Sequence, residues 1–133
     1  MHDKATREAF LFYIDGLGQR WRGVFNRNSQ AYVGSAYWNL FISLWKEPSP
    51  VKIADAGLYM PEVRSVSGSK SYIDRAIEDG YLVTSGKDDS RLIALSDEFR
   101  GRIDDFIDDC IVSFLISSKK LERISPPPHS SNQ

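Results

Sequence analysis

The densest run of side chains able to do chemistry is Asp104-Asp105-Phe106-Ile107-Asp108-Asp109. Aspartates at i and i+4 share one face of a helix, and carboxylate oxygens at that spacing can chelate magnesium. No second acidic motif stands ready to face this one, so the run reads as a solvated helix face. Cys110 follows it inside an apolar stripe, where a thiol is a buried structural group rather than a redox sensor. His2 and His129 lie near the two ends and flank no nucleophile, so no Ser-His-Asp or Cys-His arrangement can be built from them. Gly16-Leu17-Gly18 falls inside a helical pattern and reads as a packing feature, not a phosphate loop. The expectation is a protein without enzymic activity, with no cofactor and no metal.

A second group of residues suits binding rather than catalysis. Ser67-Gly68-Ser69-Lys70 opens a helical pattern that runs to Asp79, with Ser67 placed as N-cap and Gly80 as the glycine just past the end. Ile73, Ala76 and Ile77 supply its inward face. Its beginning carries Ser67, Ser69, Lys70, Ser71 and Tyr72, short polar or cationic groups of the kind that meet base edges, beside helix amides that suit a phosphate. Arg64 and Arg75 are placed to hold a phosphate backbone, and Lys87 and Arg91 lie on a following turn. The local charge does not help: against Arg64, Lys70, Arg75, Lys87 and Arg91 stand Glu62, Asp74, Glu78, Asp79, Asp88 and Asp89. The whole chain carries a net charge of -1, so any nucleic-acid contact must come from a local patch.

The elements that must position these residues follow from periodicity. Phe10, Tyr13, Ile14, Leu17, Trp21, Val24 and Phe25 recur at three- and four-residue steps and predict a helix from Asp3 to Phe25. Gln30 to Trp45 is apolar almost all round and predicts a buried central helix, ended by Glu47-Pro48-Ser49-Pro50. A short helix is expected from Pro50 to Leu58, then an irregular turn through Pro61. Tyr81-Leu82-Val83-Thr84 and Leu92-Ile93-Ala94-Leu95, joined by Ser- and Gly-rich turn residues, predict a β-hairpin. Ser96-Asp97-Glu98 caps a last helix with Phe99, Ile103, Phe106, Ile107, Cys110, Ile111, Phe114 and Leu115 on one stripe. After Lys120 a Pro- and Ser-rich stretch predicts a disordered tail over 121–133.

These readings give a mainly α fold with a small β-hairpin. They divide it into an N-terminal helix over 1–29, a central region over 30–97 and a C-terminal helix over 98–120. A chain of 133 residues, 41% hydrophobic and 26% charged, is long enough for one real core and ordinary for a soluble protein. The single cysteine excludes an internal disulfide and fits a reducing compartment. No apolar run reaches the length of a membrane span, and the start lacks a signal-peptide pattern, so a cytoplasmic location is expected.

From Leu40 to Ile107 the sequence resembles the winged helix-turn-helix of the multiple-antibiotic-resistance regulator (MarR) family. Asp74-Arg75-Ala76-Ile77-Glu78-Asp79-Gly80-Tyr81-Leu82-Val83 is similar to that family's exit from recognition helix into wing. Asp88-Asp89-Ser90-Arg91-Leu92-Ile93-Ala94-Leu95-Ser96-Asp97 is similar to its acidic, arginine-bearing wing and the helix start that follows. The wing is shorter than usual there, and the turn before the recognition helix carries extra residues, Met60 to Val66. The resemblance implies a homodimer held by the N- and C-terminal helices, which binds double-stranded DNA as a transcriptional regulator with two recognition helices in successive major grooves. It also implies a small aromatic ligand as effector. Phe10, Phe12, Tyr13, Trp21, Tyr37, Trp38 and Phe106 then belong to core and dimer interface, or in part to an effector pocket. The acidic balance and short wing point to an alternative, a winged-helix protein-protein interaction scaffold without DNA binding.

Overall fold

The structure is a computed structural model and describes residues 2–124. It separates into two compact units. One is Arg22–Asp104; the other joins the described parts of Met1–Trp21 and Asp105–Gln133. Helices α1 (Lys4–Gly23) and α6 (Asp97–Ile124) contribute residues to both.

The Arg22–Asp104 unit contains α2 (Ser29–Tyr32), α3 (Ser35–Lys46), β1 (Val51–Lys52), α4 (Ile53–Leu58), α5 (Val66–Glu78), β2 (Leu82–Ser85) and β3 (Leu92–Leu95). The expected buried helix from Gln30 to Trp45 is thus two helices. Gly34 stands in the extended region (φ -77°, ψ 164°) as N-cap of α3, a position glycine accepts readily, and it divides the apolar run. Nor is α3 buried all round, since Trp38 is 40% exposed. The expected hairpin is one part of a three-stranded antiparallel sheet in the order β1-β3-β2. Val51 pairs with Ile93 and Lys52 with Leu92, while Leu82 to Ser85 run against Leu95 to Leu92. A two-residue strand just after Pro50 is too short to show alternation, so only the pairing across β3 reveals it.

Each element delivers large apolar groups to one core. Leu40, Phe41 and Leu44 come from α3, Ile53 and Ala56 from α4, Ile73 and Ala76 from α5, and Leu82, Ile93 and Leu95 from the sheet. Phe99 and Ile103 close it from α6. Aromatic rings fill the centre: Phe25 stacks on Tyr32 at 5.4 Å, and Phe41 meets Phe99 edge to face at 4.9 Å. Burying one such side chain contributes about 1.5–3 kcal/mol. Helix α5 ends as the sequence predicts. Gly80 adopts φ 84°, its N–H donates to Ile77 O at 3.1 Å, and Tyr81 N–H donates to Ala76 O at 2.9 Å. That double bond pattern needs a left-handed residue, which glycine adopts without a Cβ clash.

In the second unit, the α1 and α6 segments pair through few contacts. Trp21 meets Phe106 edge to face at 5.3 Å, Tyr13 meets Phe114 at 6.1 Å, and Arg20 Nη1 donates to Ser113 Oγ at 3.2 Å. The order of these pairs makes the segments antiparallel. Asp3 Oδ1 accepts from Thr6 N–H at 2.9 Å and caps the start of α1. That amide bond holds the Asp3 carboxyl below its usual range. The α6 helix continues through Leu121–Ile124, beyond the expected stop at Lys120; the rest of the expected tail lies outside the described residues. Among the described residues, no helix is long and apolar enough to cross a membrane.

Candidate nucleic-acid interface

The α5 helix begins two residues earlier than expected. Ser65, not Ser67, is the N-cap, with its Oγ accepting from Gly68 N–H at 3.0 Å. Ser67 lies within the first turn, and its carbonyl accepts from Ser71 Oγ at 3.0 Å. The cap shifts because the Met60–Val66 stretch is tied down. Met60 is fully buried and Val63 N–H donates to Met60 O at 3.0 Å, while Glu62 accepts from Ser35 Oγ at 3.2 Å. These contacts fix the chain direction as it enters α5.

Not all of the predicted contact residues share one face. Ser69 is 8% exposed and lies on the core side of α5 with Ile73 and Ala76, its Cβ packed near Gly57 of α4. It therefore cannot reach a duplex, because the helical period that buries Ile73 also buries the residue four before it. Tyr72 is half committed: its ring lies 5.0 Å from that of Tyr37. Ser67, Lys70, Ser71 and Arg75 are exposed, as is Arg64 just before the cap.

Two acids of this region are engaged within the fold. Asp74 Oδ1 takes Arg91 Nη1 at 3.2 Å, and Arg91 Nε donates to Asp88 O at 3.2 Å. Arg91 thus straps the β2–β3 turn to α5 instead of pointing outward. The turn itself closes with Gly86 at φ 88° and Asp88 at φ 51°, followed by a 3-10 turn over Asp88–Ser90. Asp79 accepts from Tyr32 Oη and, at 3.1 Å, from Asn28 Nδ2. Arg64, Lys70 and Lys87 form no ion pair with any described side chain and are exposed. Asp74 and Asp79 are thereby held by partners within the fold, while Arg64, Lys70 and Lys87, like Glu78, are exposed. Composition alone did not reveal that division, because it depends on which side of α5 each residue falls.

Sequence reasoning also missed the tyrosines that hold α5. Tyr37 Oη donates to Tyr72 O at 2.8 Å, and Tyr32 Oη lies 3.1 Å from Arg75 O as well as against Asp79. Burial, reinforced for Tyr32 by the Asp79 carboxylate, holds both phenols well above their usual range. A usable signal was present: a buried tyrosine hydroxyl needs a partner, and both tyrosines fall on an apolar stretch.

Tyr37 is a core residue, and in the other unit Trp21 and Phe106 pack on each other while Phe10 and Phe12 are exposed. Beneath the end of α5 a polar cavity of about 100 Å³ is bordered by Arg27, Asp79, Tyr81 and Arg102. None of the aromatics expected to border an effector pocket lines this cavity. No family model matches the sequence, and no curated protein or solved structure matches it.

Proposed function

We propose that this protein binds double-stranded DNA as a homodimeric winged helix-turn-helix regulator. The reading is carried by α5: a capped, 13-residue helix with a buried apolar side and an outward side bearing Ser67, Lys70 and Ser71. Such a helix is about 20 Å long and fits a major groove about 12 Å wide. The succession α3-β1-α4-α5-β2-β3 with sheet order β1-β3-β2 supports a winged helix, in which α4 and α5 form the helix-turn-helix and the β2–β3 turn is the wing. Lys70 and Arg64 serve the groove and its phosphates, and Lys87 is the wing's cation.

The homodimer is supported by the α1 and α6 segments of the second unit. Phe12, Leu11, Val112 and Leu115 are each more than half exposed, a pattern expected where a second copy is to cover the surface. Two α5 helices then double the number of phosphate contacts.

Fluorescence anisotropy of the full chain on duplexes selected from a random-sequence pool tests the reading. Binding should weaken steeply with salt, and Lys70→Ala should lower the salt slope by about one unit. Sedimentation equilibrium should give a dimer at micromolar concentration. Absent or salt-insensitive binding overturns the regulator reading.

A further inference from the structure

The residues that hold the far end of α5 in place come from a segment with no part in the predicted contact surface. Tyr32 is fully buried, and its hydroxyl faces both the Asp79 carboxylate and the Arg75 carbonyl. One hydroxyl proton serves one acceptor at a time, and a carboxylate is the stronger. Asn28 adds its amide to both carboxylate oxygens, at 3.1 and 3.2 Å, and stands in the left-handed region at φ 50° to do so. One residue back, Tyr81 clamps Arg27 twice: its Oη donates to Arg27 O at 2.6 Å and accepts from Arg27 N–H at 2.8 Å. Residues 27–32 are thereby bolted to residues 75–81 at the C-terminal end of α5.

Apolar packing alone leaves a helix free to slide or rotate by small amounts, since dispersion contacts are individually weak and non-directional. Hydrogen bonds to a carboxylate are directional and strong. We propose that Tyr32, Asn28 and Tyr81, acting on Asp79 and Arg27, form a latch that sets the position of α5 for DNA, so that a segment making no DNA contact controls affinity. These are positioning residues, and the proposal rests on the DNA-binding reading above. Any event that rearranges residues 27–32 would then be felt at α5 without touching the duplex.

The test uses the full chain and a fluorescein-labelled duplex from the random-sequence selection. Tyr32→Phe keeps the ring and removes the hydroxyl. Asn28→Gly removes the amide and still accepts a positive φ, so it serves if the first variant folds poorly. Each should weaken DNA binding by about fivefold, within the effect of one charge-assisted hydrogen bond. The salt slope should stay at the wild-type value, because no phosphate contact is lost. Amide hydrogen exchange at Asp79, Gly80 and the 27–32 segment should quicken in both variants. Tyr59→Phe is the control. It removes a hydroxyl bond of 2.8 Å to Glu47, in which no α5 residue takes part, and should leave DNA binding unchanged. Wild-type affinity in both latch variants overturns the latch and leaves the DNA reading standing. So does an equal loss in Tyr59→Phe. If the wild-type protein itself fails to bind duplexes in a salt-dependent way, both fall together.

Discussion

In the Arg22–Asp104 unit, Phe41 and Phe99 pack edge to face and are 0% and 1% exposed; in the other unit, Phe12 and Phe114 are 74% and 52% exposed. The residue type is the same and the surroundings are opposite. In the first unit Phe25, Tyr32, Tyr37, Phe41, Tyr81 and Phe99 each have several ring neighbours, and the buried tyrosine hydroxyls each reach an acceptor. In the second, two helix segments share a few ring contacts and leave much apolar surface uncovered. Aromatic content thus marks two different physical roles: closing a core within one chain, and offering a surface whose burial must come from elsewhere.

The largest expected effect breaks or upholds that contrast directly. Phe41→Ala empties a fully buried ring site and should cost about 3–5 kcal/mol in urea unfolding. Phe12→Ala removes an exposed ring and should change the stability of the isolated subunit by less than about 0.5 kcal/mol. Its effect should appear instead as weaker self-association in sedimentation equilibrium. Equal losses of subunit stability at the two sites would erase the distinction between the units.

The tyrosines sharpen it through pH. Tyr32 and Tyr37 have phenols raised above their usual range, chiefly by burial, so the folded state keeps protons that the unfolded chain releases. A group with a raised folded pKa stabilises fully below its unfolded value, about 10 for tyrosine, and loses that contribution as pH climbs toward the folded value. Denaturation midpoints should therefore be insensitive to these groups below about pH 10 and fall above it, by up to about 1.4 kcal/mol per pH unit for each such tyrosine. The double variant Tyr32→Phe, Tyr37→Phe should flatten the alkaline limb. A limb that stays as steep would mean that other groups carry it.

How much of this was legible in the sequence differs between the units for the same reason. The end of α5 at Gly80 and both strands around Arg91 were readable because turn chemistry and β-branched runs are local signals. The three-stranded sheet was not, because β1 exists only through its pairing with β3 across some forty residues of chain. The predicted contact set follows residue type alone, and Ser69 and Arg91 are taken up by the fold. One lies on the buried side of α5, the other is held by a carboxylate seventeen positions away. Side-chain partners at that range leave no periodic trace. In the α1 and α6 segments the apolar stripe was legible, and what it packs against is not encoded within one chain's periodicity.

Two glycines should answer alanine with opposite signs. Gly18 lies inside α1 with open space where a Cβ would go, so Gly18→Ala should stabilise by about 0.5–1 kcal/mol through helix propensity. Gly80 also has open space around a notional Cβ, but its φ of 84° strains any L side chain. Gly80→Ala should cost about 1–2 kcal/mol. Thermal denaturation of both variants measures the pair. A gain at Gly80 would mean that the end of α5 can be rebuilt without the left-handed residue.

The smallest effects concern ion pairs, and here too the two units differ in what a pair accomplishes. Lys4 and Glu8 lie 3.8 Å apart on an exposed turn of α1, with side chains 90% and 65% exposed, so Glu8→Gln should change stability by no more than about 0.5 kcal/mol. Asp74 and Arg91 are closer, at 3.2 Å, and Arg91 retains only 19% of its side-chain exposure. Asp74→Asn should still cost under about 1 kcal/mol in global unfolding, because Asp74 itself is half in water and screened. The pair's consequence is local: it joins the β2–β3 turn to α5. Amide exchange at Ser90 and Arg91, whose N–H groups close that turn at 3.1 and 3.2 Å, should therefore quicken in Asp74→Asn. Exchange at Tyr81 and Ser96, at the other end of the strands, should stay slow. Uniform acceleration along both strands would instead place the pair among the contacts that hold the whole sheet.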